Sequence, residues 1–120
     1  MIRRRVLGIV VVVALVLLCY PREYRALVGT YSVTGDPRQL VLNAFLGCGD
    51  SVVGSEVVRE DATRVTVIVR ARDNGGRTAP GCMGEPHSVR VTLRDSIGER
   101  TVIDGTDMIG VAGHVVPRVP

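Results

Sequence analysis

Between Arg64 and Arg72 the chain alternates apolar and polar residues more regularly than anywhere else. Val65, Val67, Val69 and Ala71 share one parity, and Thr66, Ile68, Arg70 and Arg72 share the other. This period of two predicts a strand with one face in a core and one toward water, the pattern of an antiparallel sheet. Ile68 is the apolar exception on the polar parity and marks a contact with the C-terminal segment. Ser88 to Arg94 repeats the pattern, with Val89, Val91 and Leu93 inward and Arg90, Thr92 and Arg94 outward. Shorter runs predict strands at Leu27–Val33, at Ser51–Glu60 with a break near Gly54, and at Arg100–Asp104. Gln39–Leu46 is too short for periodicity to separate strand from helix, but its flanking Gly and Pro favour strand. Phe45, the only phenylalanine, is expected to anchor the core. The segment from Met108 onward adds at most an edge strand, and its end, 117–120, is expected to fray. The predicted fold is mainly β, a small antiparallel sheet or sandwich.

A different pattern fills the N-terminus. Arg3-Arg4-Arg5 precedes Val6-Leu7-Gly8-Ile9-Val10-Val11-Val12-Val13-Ala14-Leu15-Val16-Leu17-Leu18, a block of 13 residues with no charge. A positive cluster ahead of an apolar block is the layout of an export signal. The residues that follow, Cys19 to Ala26, offer no small–x–small pair for cleavage, so an uncleaved anchor helix is favoured over a cleaved signal. Val6 to Tyr20 would span only about 22 Å as a helix, short of a hydrocarbon core of roughly 30 Å, a deficit that snorkelling arginines reduce. Tyr20 and Tyr24 are expected at the interface, and the arginines predict a cytoplasmic N-terminus with the rest outside. Lipidation of Cys19 is a further alternative, but Leu18 stands where a lipobox needs a small residue. The expected layout is therefore a signal or anchor over 1–25, an extracytoplasmic β-domain over 26–116, and a short tail.

Charge alters the picture only through its location. The formal net charge is +3, all of the basic residues are arginine, and five of them flank the apolar block. From Ala26 onward ten arginines face eleven acidic residues, a net charge of −1. The β-domain thus lacks the basic footprint of a nucleic-acid binder. With aromatics at 3% and no tryptophan, its core must rest on valine, leucine and isoleucine.

In an exported domain, Cys48 and Cys82, each set among glycines, read as a structural disulfide. Their separation of 34 residues corresponds to about 3–4 kcal/mol in the chain-entropy treatment. No Cys-x-x-Cys redox pair is present. Cys82, Met83 and His87, with Cys48 and His114 more distant, are the competing metal set; the short-range methionine after a histidine and the paired zinc-ribbon spacing are both missing. Ser51, Ser88, His87 and His114 stand in no recognisable catalytic arrangement, and the two histidines read as solvated. Asp50 and Asp104 read as turn or capping residues. Arg70, Arg72, Arg90 and Arg94 are a candidate anion or partner face, against the plainer reading of a solvated surface balanced by Glu56, Glu60, Asp61 and Asp95.

Gly47-Cys48-Gly49-Asp50, Gly81-Cys82 and the run from Ser88 to Gly105 carry a resemblance. Over Phe45 to Gly105 the chain resembles small exported two-cysteine β-domain proteins of high-GC Gram-positive (actinobacterial) type. The resemblance implies a signal or anchor and an extracytoplasmic β-domain; its motifs are structural and bring no activity or site. The expected function is a non-catalytic binding or interaction module, held at the membrane and facing an envelope protein partner, with no cofactor. Secreted and lipid-anchored forms are the alternatives in location. A small envelope enzyme or metal protein using Cys82, Met83 and His87 is the alternative in function.

Overall fold

A computed structural model of the protein describes residues 22–75, 84–106 and 113–120. Within them the chain forms strands β1 (Glu23–Val33), β2 (Gln39–Leu46), β3 (Ser51–Glu60), β4 (Arg64–Arg72), β5 (Glu85–Thr92), β6 (Thr101–Asp104) and β7 (His114–Val115), and no helix. β2, β3 and β4 have the bounds that the alternation predicts. β1 starts earlier than Leu27 because its first residues pair with β4, Glu23 opposite Arg72 and Ala26 opposite Val69. The first described strand thus begins at Glu23, inside the stretch assigned to the anchor. β5 likewise starts at Glu85 rather than Ser88, because it pairs with the whole of β2, from Gln39–Thr92 to Leu46–Glu85. The apolar block from Val6 to Leu18, Cys19, Tyr20, Cys82 and Met83 lie outside the described residues.

The hydrogen-bonded order is β5-β2-β1-β4-β6-β7, with β3 on the other side of β4. β1 is the corner of this sheet: its first four residues pair with β4, and Leu27 to Val33 pair with β2. Where β1 leaves β4, β6 takes its place in parallel, Arg64 opposite Thr101 through Val67 opposite Asp104. The antiparallel expectation holds for every other ladder and fails at this one. β3, which branches off the path at β4, meets β5 at its end where the Ser55 hydroxyl donates to the Arg90 carbonyl at 2.6 Å. The sheet is therefore rolled around one core, in which Val28, Leu40, Leu42, Leu46, Val65, Val67 and Val102 are fully enclosed.

Bulges explain which side chains reach that core. Val52 and Val57 are five positions apart and would face opposite sides of a regular strand. A register shift between Val52 and Gly54 brings both against the core and leaves Val53 and Val58 outside. A second shift between Val28 and Thr30 does the same for Val28 and Tyr31 in β1. Phe45 is not a core anchor: it is 44% exposed. Strict alternation along β2 turns Leu40, Leu42, Ala44 and Leu46 inward and Phe45 outward, where its ring lies over Gly29. A Cβ at Gly29 would stand 2.6 Å from the ring, so only glycine leaves room for that packing. Ile68 is buried on the side away from the main core, beneath Gly105.

The tail, expected to fray, lies along β1. The Tyr31 N–H donates to the Pro117 carbonyl at 3.0 Å, and the Val119 N–H donates to the Tyr31 carbonyl at 2.8 Å. These bonds occupy the edge of β1 opposite β2, which would otherwise present unpaired backbone groups.

Candidate functional site

Among the described residues, three clusters of ionisable side chains, one outer face and the enclosed His87 are the places where chemistry can reside. The most enclosed cluster lies where β1 parts from β4. Asp104, fully buried, accepts from the Val28 N–H at 2.8 Å and from the Thr106 N–H at 2.9 Å. The Thr106 hydroxyl donates to the Ala26 carbonyl at 3.1 Å. His114 Nε2 lies 2.9 Å from the Val28 carbonyl and must donate to it, since a carbonyl only accepts. Its Nδ1 stands 3.7 Å from Asp104. The histidine expected to be solvated is instead tied to the backbone of β1. Asp104 caps the end of β6 as the sequence implies, and also completes the corner strand.

At the Cys48 end, the Tyr24 hydroxyl donates to Asp50 at 2.6 Å and accepts from the Gly47 N–H at 3.0 Å. The other Asp50 oxygen accepts from the Asn74 N–H at 3.0 Å. Tyr24, expected at a membrane interface, thus packs into the domain and fixes the turn that carries Cys48.

At the opposite end, Glu60 accepts from the N–H groups of Arg94 at 2.9 Å and Asp95 at 3.1 Å, and from Arg100 Nη1 at 3.1 Å. Arg100 also donates to the carbonyls of Asp61, Asp95, Ser96 and Ile97. Burial alone would raise the Glu60 carboxyl; the two backbone N–H groups and the Arg100 guanidinium outweigh it and hold it below the ordinary carboxylate range. The N–H groups of Thr63 and Arg64 similarly hold Asp61 low. A polar hollow opens beside this clamp, lined by Glu60, Asp61, Ala62, Arg94, Asp95, Ser96 and Arg100.

The four arginines singled out from the sequence lie on β4, on β5 and just beyond β5, with different partners. Arg70 pairs with Glu56 at 2.6 Å, and Arg72 lies 4.0 Å from Glu23. Arg94 belongs to the Glu60 clamp at the other end of the β3–β4 hairpin. Arg90, on β5, gives its carbonyl to Ser55. What the fold does bring together is Arg25, which the sequence grouped with the membrane flank, directly opposite Arg70. Their outer surface continues into Leu27, which faces Phe45, and Phe45 faces Pro86. Period-two parity in β1 links Glu23, Arg25 and Leu27, but the register with β4 and β2 is not legible in one sequence.

His87 Nε2 is enclosed and finds no hydrogen-bond partner among the described residues; Glu85 lies 3.7 Å away. Among the described residues, no three His, Cys, Asp or Glu side chains are grouped to share a metal ion. No known protein family, curated protein or solved structure matches the chain.

Proposed function

We propose that the chain is a non-catalytic binding or interaction module at the outside of the cell membrane, anchored by its N-terminal apolar segment and locked by a Cys48–Cys82 disulfide. The observation that carries the non-catalytic reading is the use made of the enclosed carboxylates. Asp50, Asp104 and Glu60 all accept from the domain's own backbone N–H groups. Carboxylates saturated in this way hold a fold together and have no free oxygen for proton transfer to a substrate.

Two facts support the disulfide. The β2–β5 ladder ends with Leu46 opposite Glu85, two residues before Cys48 and three after Cys82 in the chain. Export supports the same pairing, since an oxidising compartment preserves it. The anchor rests on Arg3-Arg4-Arg5 ahead of the uncharged block, with the rest of the chain outside the cell and available to an envelope protein partner.

Thiol counting on the unreduced, denatured full chain tests the disulfide: one reactive thiol, Cys19, is expected, and three overturn the pairing. Protease added to intact spheroplasts should digest the β-domain and spare the first residues; complete protection overturns the exported orientation. A second reading, an envelope enzyme or metal protein at Cys82, Met83 and His87, draws on the unpartnered His87 Nε2. Stoichiometric metal in the purified full-length protein would establish it at the expense of the first.

A further inference from the structure

The anchor and the outer face of the corner strand have a consequence when taken together. Leu27, Phe45 and Pro86 stand in register on three neighbouring strands and form a row across the outside of the sheet. Leu27 is 39% exposed and Phe45 44%. Leu27, Phe45 and Pro86 thus make a contiguous outward apolar strip on a domain with so few aromatics. Directly beside the row, on the same outward parity, Arg25 faces Arg70. Like charges directly opposite each other are unfavourable in a sheet. Glu56 answers Arg70, while among the described residues Arg25 donates to the Gly105 carbonyl at 3.2 Å and pairs with no carboxylate.

The position of the anchor decides the occupant. Only Pro21 and Arg22 separate Tyr20 from the start of β1 at Glu23. Three residue steps from Tyr20 to Glu23 span at most about 11 Å, so β1 starts at or just above the headgroup layer if the apolar block lies in the bilayer. Leu27 follows four residues later, about 13 Å along the strand. An apolar row with Arg25 beside it, while Arg70 and Glu23 are paired with Glu56 and Arg72, and tied this closely to a membrane segment has the chemistry of an interfacial surface, with apolar side chains entering the headgroup boundary and Arg25 meeting anionic lipid.

We infer that the Leu27–Phe45–Pro86 row and Arg25 lie on the outer surface of the same bilayer that holds the N-terminal segment, so that the β-domain docks on the membrane by the face of β1 and β2. This rests on the anchored reading above. The chain has no tryptophan, so Phe45→Trp introduces a single indole into the row. Val58→Trp serves as the reference, since Val58 is 57% exposed near the far end of β3. The full-length variants are reconstituted in vesicles of phosphatidylcholine with a minority of phosphatidylglycerol, with and without brominated acyl chains. Several-fold stronger quenching and a blue-shifted emission at position 45 relative to position 58 are expected, with the difference shrinking when phosphatidylglycerol is omitted. Equal, weak quenching at both positions in protein that floats with the vesicles overturns the docking and leaves the anchor standing. Protein that fails to float overturns the anchor, and the docking with it. Leu27→Trp reports on the same row if an indole over Gly29 disturbs the fold.

Discussion

Glu60 carries a negative charge into a site where its side chain is only 4% exposed, and its hydrogen-bond donors make that possible. Because its folded pKa is lowered, it contributes stability that is present above the unfolded value, about 4.5, and lost as pH falls through the lower folded value. Stability measured by urea unfolding should therefore rise with pH through the acid range. Glu60→Gln should flatten that limb and cost about 2 kcal/mol at neutral pH, since an amide cannot accept from both backbone N–H groups and Arg100 together. An acid limb as steep as in the unsubstituted chain would count against the clamp. The sequence reading took Glu60 as part of a solvated balance to the arginines. That error has a physical origin: the N–H groups it accepts lie 34 and 35 residues away, beyond any local pattern. Phe45 misled in the opposite direction. Its size suggested the core, whereas the parity of β2 already placed it outside.

At the scale of elements, the hydrophobic alternation was a sound guide wherever one strand has one face in the core. β2 follows it residue for residue and β4 does so apart from the buried Ile68, whereas the bulges of β3 break it. It was poorer for β1, which serves two ladders and carries a bulge at the corner, so that its inward positions change parity along its length. The corner also creates a shortage of partners, since Val28 has left β4 and has no neighbouring strand on that side. Asp104 and His114 take over as side-chain substitutes for a strand. Neither was legible, because His114 and Val28 are 86 residues apart in the chain. Asp104→Ala should leave the Val28 and Thr106 N–H groups without acceptors in the interior and cost about 3 kcal/mol. Thr106→Val, which removes only the bond to the Ala26 carbonyl, should cost about 1 kcal/mol. Chemical denaturation of both variants checks the ordering; equal losses would mean that Asp104 does not complete the strand.

At the scale of the whole molecule, the rolled sheet depends on how the outer side of β1 is covered. In chain order that side meets β4, then the Asp104 and His114 side chains, then the last residues of the protein. Position at a terminus suggests fraying, and nothing in Pro117-Arg118-Val119-Pro120 signals a partner, because the bonds are made by backbone groups that every sequence possesses. Their value comes from Tyr31, whose side chain is buried while its N–H and carbonyl both point to the tail. Ending the chain after Val116 removes the Pro117 carbonyl and the Val119 N–H together, a loss of about 2 kcal/mol at roughly 1 kcal/mol per bond. The urea midpoint of the shortened chain should fall with little change in slope, because the core that unfolds is the same. Hydrogen exchange at the Tyr31 amide should accelerate well beyond that of the Leu42 amide on the neighbouring strand, which keeps its core environment. Arg118→Ala, which alters a side chain and leaves the backbone bonds in place, should do neither. An unchanged midpoint together with slow exchange at Tyr31 in the shortened chain would show that the corner strand holds without the tail, and that Asp104 and β4 suffice to keep the sheet rolled.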